Sequence, residues 1–370
     1  MTEIVKSYYT TGVCGTCYRE LLATIEYRSD GSAYITKTCP EHGYEEAMVE
    51  KDYKFWEDSL QLEEDNRTWA SLNDTTILEV TDRCNVRCEH CYHDPDNKIK
   101  DKPAEFIIAQ ALSQPTHDVI LMGAEPTMRE DLAFIIKEIK SRRGKLSKEV
   151  SIYTNGIKLK DPAYLQSLVD AGLDVVCMSI HHPEYHKERI WKDISIALEN
   201  IANATVPLGQ LGFVCVNKEQ ANHAVDKMLW LKDRGREPGE WEIRSPAKIG
   251  IEFEQEQEIY ISDLYKWMLE IAEERNLKFE RHPNMGSNPY HVGFLLEDMH
   301  LQLSHWPTVH SVDTSYMYMG PWASLVPNTR GTFIIQAILR DGLKKGWWQG
   351  NRVVTDTTQP IVFTAKNNDA

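Results

Sequence analysis

From about residue 75 to residue 245, short apolar runs alternate with amphipathic stretches, the pattern of parallel β/α units. Six strands are expected at Ile77–Thr81, Asp118–Gly123, Glu149–Thr154, Asp174–Ile180, Leu211–Val216 and Glu240–Ser245. Helical periodicity lies between them, most clearly near Glu130–Arg143, Pro162–Ala171, Lys187–Asn203 and Gln220–Arg234. Upstream, residues 10–55 carry short alternating runs and turns, such as Ala33-Tyr34-Ile35-Thr36 after Asp30-Gly31, which predict a small β domain. Downstream the rhythm breaks into a helix at about Ser262–Arg275, a loop over His282–Val292, an alternating run at Met299–Trp306 and a helix near Phe333–Lys345. The expected organisation is therefore a small domain over 1–70, a partial (β/α)6 barrel over 71–250 and an α+β cap over 251–370 that closes the mouth and selects substrate.

Composition narrows the partners. The chain has 370 residues and a formal net charge of -15, without a Lys/Arg run of the kind that neutralises phosphates, so a long nucleic acid is disfavoured. No segment approaches the roughly 18 apolar residues that span a bilayer, and Met1–Thr10 has no basic stretch followed by an apolar one. A cytoplasmic location is expected. Of the eight cysteines, six fall in two tight groups, a usage that points to metal rather than to disulfides. Cys177 and Cys215 lie inside expected core strands and read as small buried hydrophobes.

The second group, Cys84-Asn-Val-Arg-Cys88-Glu-His-Cys91-Tyr92, follows the first barrel strand at CxxxCxxC spacing. One loop closing over a [4Fe–4S] cluster can bring three thiolates to three irons and leave the fourth iron open. The competing reading is a zinc knuckle completed by His90 or His93. Three turns follow in order: Gly123-Ala124-Glu125-Pro126 after the second strand, Thr154-Asn155-Gly156 after the third, and Ser179-Ile180-His181 at the end of the fourth. Together they resemble the radical S-adenosylmethionine (SAM) superfamily. The resemblance implies that Cys84, Cys88 and Cys91 hold the cluster and that SAM chelates its open iron. It also implies SAM contacts at Tyr92, Gly123, Ala124 and Asn155, with Glu125 accepting from the ammonium, Ser179 near the ribose and Asn217 near the adenine and ribose. Ala124 stands where the family's GGEP turn has a second glycine. Arg244, charged in a strand expected to be buried on both faces, must be paired or must clamp a carboxylate of SAM or substrate.

The first group is Cys14-Gly-Thr-Cys17 with Cys39-Pro-Glu-His42-Gly43 further on. Three thiolates and one imidazole suit a closed tetrahedral zinc site, or a single rubredoxin-like iron, in a domain too small to rely on its core. This CxxC…CPxHG segment ahead of the cluster loop resembles the group of radical SAM proteins that includes archaeal pterin C-methylating enzymes and tetraether-lipid synthases. The resemblance implies an enzyme that cleaves SAM to a 5'-deoxyadenosyl radical and functionalises a carbon of a small polar metabolite or cofactor precursor, by C-methylation or C–C bond formation. An electron donor such as flavodoxin or ferredoxin is implied with it. Two other functions fit fewer residues: a lipid-modifying radical enzyme, which the polar tail disfavours, and a metal-bound scaffold or redox sensor, which leaves the GAEP and TNG turns unexplained.

Overall fold

The computed structural model describes residues 2–17, 19–65, 75–91, 93, 95–113, 118–142, 149–246, 258–282, 290–308 and 310–313. The helix expected near Phe333–Lys345, and most of the loop expected over His282–Val292, lie outside them.

The N-terminal unit is a four-stranded antiparallel meander of β1 (Ile4–Val13), β2 (Glu20–Arg28), β3 (Ala33–Cys39) and β4 (Gly43–Glu50), followed by α1 (Tyr53–Asp65). Alternation in β2 turns Ala23, Ile25 and Tyr27 inward, where with Ile35, Val49 and Trp56 they form a core of their own. Trp56 donates its indole N–H to the Tyr8 hydroxyl at 3.0 Å, which satisfies the polar atom of the largest buried ring.

The barrel strands are β5 (Thr75–Thr81), β6 (Asp118–Gly123), β7 (Glu149–Thr154), β8 (Val175–Ser179), β9 (Leu208–Val214) and β10 (Glu240–Arg244), all parallel and adjacent in chain order. Between them run α2 (Ala104–Ser113), α3 (Leu132–Arg142), α4 (Pro162–Asp170), α5 (Glu188–Asn203) and α6 (Lys218–Lys232). The strands alternate strictly: Val119, Leu121, Val150, Ile152, Val176 and Met178 pack outward under the helices. Asp118, Ile120, Glu149, Ser151, Val175 and Cys177 line a cavity on the other side. One face of six consecutive strands surrounding one cavity is the partial barrel expected from the sequence.

The region after residue 250 is α+β, as expected, and its strands join the barrel sheet. Beyond α7 (Ile261–Arg275), β11 (Phe279–Arg281), β12 (His291–Leu296) and β13 (Met299–Ser304) continue the barrel sheet, giving nine strands in the order β11-β12-β13-β10-β9-β8-β7-β6-β5. β13 pairs parallel with β10, Trp241 to Leu301 and Arg244 to Ser304. The reason is apolar area. Leu301 and Leu303 are fully buried in the same core as Trp241 and Ile243, and a cap strand standing away from the sheet would leave them wet. On the opposite face His300 is exposed, whereas Gln302 and Ser304 are buried and Ser304 donates its hydroxyl to Glu242 at 2.6 Å.

Candidate active site

The cavity has a volume of about 400 Å³, and its mouth lies at the C-terminal ends of the strands, where Cys84, Cys88 and Cys91, Gly123, Ala124, Asn155, Ser179 and Arg244 line it together. The sequence-predicted residues thus converge on one place, with three exceptions. Tyr92 lies outside the described residues.

Asn217 is the second exception. β9 ends at Val214 rather than Val216, so the chain has already turned outward, and Asn217 is exposed at the N-cap of α6, accepting from the Gln220 N–H at 2.9 Å. Its side chain oxygen satisfies one of the orphan N–H groups at the start of that helix.

Glu125 is the third. Its carboxylate is fully buried and accepts from Thr127 N (3.0 Å), Thr127 Oγ1 (2.5 Å), Thr154 Oγ1 (2.8 Å) and Asn155 N (2.7 Å). Burial pushes its pKa up, and these four hydrogen bonds work against that push. Glu125 thus clamps the exit of β6 to the exit of β7 and so positions Asn155.

The turn around it is zipped to the cluster loop as well. The Ala124 N–H donates to Thr81 O at 3.0 Å and the Glu125 N–H to Arg83 O at 3.0 Å. Gly123 has φ +136°, and a Cβ there would stand 2.3 Å from the Thr81 carbonyl oxygen, so only glycine allows β6 to leave this close to β5. Arg129, which the sequence reading passed over, is almost fully buried and holds Val80 O and Lys102 O, each at 2.9 Å, while gripping Asp131 with Nε and Nη2. Its Arg-x-Asp spacing behind the GAEP turn is the signal that was there to be read.

In the cluster loop, the Val86 N–H points at Cys84 Sγ (3.5 Å) and Asn155 Nδ2 lies 3.7 Å from the same sulfur while donating to Asn85 Oδ1 at 2.8 Å. Burial pushes the thiols of Cys84 and Cys88 up to about 12. Thiolates here need a cationic partner, which a multi-iron cluster supplies. Among the described residues the only group with its ligand atoms all within 4.8 Å of one another, as a single ion requires, is the N-terminal one.

Behind the loop stands an aromatic array that the sequence reading touched only in part. The His90 ring meets His181 edge-on at 4.3 Å and Tyr185 at 4.4 Å, and His181 Nδ1 accepts from the Val214 N–H at 3.2 Å. His186 also lines the cavity. Burial, with the Arg244 charge next, lowers His90 to about 3, and burial, followed by His90 and then Arg244, holds His181 well below its usual value, so both are neutral imidazoles.

Residues 78–214 match the model of the radical SAM superfamily, and residues 7–51 match that of the HMPTM N-terminal zinc ribbon domain. The chain carries a radical SAM domain behind a zinc ribbon. In the ribbon, Cys39 Sγ lies 3.4 Å and Cys14 Sγ 3.6 Å from His42 Nδ1, and Cys17 Sγ lies 3.8 Å from Cys39 Sγ. Burial raises the Cys17 thiol to about 11; at Cys39 burial is outweighed by the Glu41 and His42 backbone and the His42 ring, which bring it down to about 6. Three sulfurs and a nitrogen this close suit one tetrahedral ion.

Among curated relatives, the 7,8-dihydro-6-hydroxymethylpterin dimethyltransferase of Methanocaldococcus jannaschii is 31% identical over 194 residues, covering 45% of this chain and 38% of that protein. A probable GTP 3',8-cyclase of Methanococcus aeolicus is 32% identical over 146 residues, 38% of this chain and 47% of that protein. The chain thus spans less than half the length of these two relatives. Among solved structures, SuiB of Streptococcus suis bound to S-adenosylmethionine aligns at 13% identity over 68% of this chain and 56% of that one, with a TM-score of 0.45. Among the described residues no helix is long and apolar enough to cross a membrane.

Proposed function

We propose that this protein is a radical SAM enzyme whose radical functionalises a carbon of a small polar metabolite or cofactor precursor, with C-methylation or C–C bond formation as the reaction. The observation that carries the reading is the meeting of Cys84, Cys88 and Cys91 with Gly123, Ala124, Asn155, Ser179 and Arg244 at one end of one cavity. A [4Fe–4S] cluster on the three thiolates would supply the electron, from a donor such as flavodoxin or ferredoxin, that splits SAM into methionine and a 5'-deoxyadenosyl radical.

The chain's own residues bind, orient and exclude water. Asn155 and the Val86 N–H direct hydrogen-bond donors at Cys84 Sγ. The exits of β6 and β7, locked by Glu125, present backbone and the Asn155 side chain to the methionine end of SAM. Ser179 offers a hydroxyl to the ribose, and Arg244 clamps a carboxylate. Neutral His90 and His181 keep that end of the cavity clear of a second positive charge.

Deeper in the cavity Ser151, Tyr153, Gln210, Glu240 and Glu242 face inward. Set in a lining that is mostly apolar, with Ile77, Ile120, Met122 and Trp306, these groups fit a hydrogen-bonding metabolite that also presents an apolar face. The relatives named for a pterin and for GTP support a nitrogen heterocycle as the substrate class. The ribbon metal is proposed as zinc, and the protein as cytoplasmic.

The reading is tested by anaerobic reconstitution followed by dithionite and SAM, with 5'-deoxyadenosine measured by mass spectrometry. Its formation in the wild type and its loss in Cys88→Ala is the expected result. Equal amounts with and without the cysteine would sink the proposal.

A further inference from the structure

The zinc ribbon and the cavity are usually separate considerations, one structural and one chemical, yet in this molecule a continuous line of contacts joins them. It begins in the knuckle itself. The Gly15 N–H donates to Glu45 Oε2 at 3.1 Å, and Glu45 binds the ring of His310. A Cβ on Gly15 would stand 2.3 Å from that ring, so His310 lies directly on the metal loop. Lys37, with its side chain fully buried, donates to the His310 carbonyl. Thr10 donates to Asp313 Oδ1 at 2.6 Å in a buried pair, and Tyr290 accepts from the Asp313 N–H at 2.7 Å.

The same segment begins at the barrel. It leaves β13 at Ser304, the register partner of Arg244, and His305 is fixed by Ser245 Oγ at 2.8 Å and by the Tyr290 carbonyl at 2.9 Å. The next residue is Trp306. Its ring packs against the ribbon core on one side, lines the cavity on another, and lies 5.1 Å from the Arg244 guanidinium carbon.

We propose that the ribbon is part of the binding site: it backs Trp306, and Trp306 holds the Arg244 guanidinium where it meets the carboxylate of SAM. This rests on the radical SAM reading above. A guanidinium on a long stem carries much rotamer freedom, and an aromatic face beside it removes that freedom before the ligand arrives. Pre-ordering of this kind appears as affinity. Trp306 is thus a positioning residue, acting through Arg244.

The test is a double-mutant cycle on SAM affinity, measured by calorimetry on the reconstituted full chain, with iron, zinc and melting temperature recorded for each variant. Trp306→Ala is expected to weaken SAM binding about tenfold, the equivalent of roughly 1.4 kcal/mol, with iron and zinc content unchanged. Trp306→Phe, which keeps an aromatic face, is expected to stay within about threefold of wild type. Arg244→Met should weaken binding at least as much as Trp306→Ala, and adding Trp306→Ala to it should cost nothing more, because the tryptophan acts only through the arginine. Asp313→Ala, which removes the acceptor of the Thr10 hydroxyl and so loosens the strap while leaving Trp306 and Arg244 unchanged, should weaken SAM binding in the same direction.

Wild-type affinity in Trp306→Ala, or losses that add in the double variant, overturns the proposal. If Trp306→Ala fails to fold, the Phe and Asp313→Ala variants decide it: Asp313→Ala with wild-type SAM affinity overturns it. A wild type that binds no SAM overturns the radical SAM reading instead.

Discussion

Burial holds the Glu50 carboxyl protonated up to about 7, against an ordinary value of 4.5, even though Ser262 and the backbone of Lys51 and Asp52 donate to it. The unfolded chain releases this proton near 4.5 and the folded chain near 7, so the folded state is favoured most at low pH and loses that advantage as pH rises between the two. Glu50→Gln keeps the shape and removes the titration. Denaturant unfolding should show the variant gaining about 1–3 kcal/mol on the wild type between pH 5 and pH 8; a difference that does not move with pH contradicts this. Glu125, another buried carboxylate, is held by four donors. Glu125→Ala strands the N–H groups of Thr127 and Asn155, which should cost about 2–4 kcal/mol. The melting temperature and the iron content should fall together, and SAM binding with them. A variant with wild-type melting that has lost only SAM would make Glu125 a direct ligand.

At the scale of elements, the sequence reading located all six barrel strands because parallel strands alternate between an apolar outer face and a cavity face, and two of them, β6 and β7, fall on the expected residues throughout. β9 was read three residues late at its start, since Gly209 and Gln210 interrupt the apolar run before Leu211, and two late at its end, since Cys215 and Val216 prolong it. That displacement places Asn217 at the N-cap of α6, a role legible in the Asn-x-x-Gln spacing of a helix start. Asn217→Ala should therefore cost about 1 kcal/mol of stability and leave SAM affinity unchanged, which calorimetry on the same preparation checks. The cluster cysteines and the TNG turn were legible because one loop or one turn contains the whole motif. The orientation of Glu125 was not, because it is decided by Thr154 and Asn155 on another strand. Nor was the placement of β13, whose partner β10 lies more than fifty residues earlier.

At the scale of the molecule, two metal-binding sets share one frame. The ribbon set is compact, with Cys14 and Cys39 buried, Cys17 half-buried and His42 exposed, in a unit whose core is small, so metal binding there is part of its folding free energy. Cys17→Ser should lower the melting temperature and abolish zinc retention, as read by metal analysis after gel filtration; a variant as stable as the wild type would show that the ribbon core suffices without metal. The central claim concerns the other set, the three thiols at the cavity mouth. It is tested most directly by electron paramagnetic resonance of the dithionite-reduced, reconstituted protein with and without SAM. One [4Fe–4S] signal, about four irons per chain, that changes shape on adding SAM and is absent from Cys88→Ala is the predicted result. A signal indifferent to SAM, or one that survives Cys88→Ala, would contradict the account.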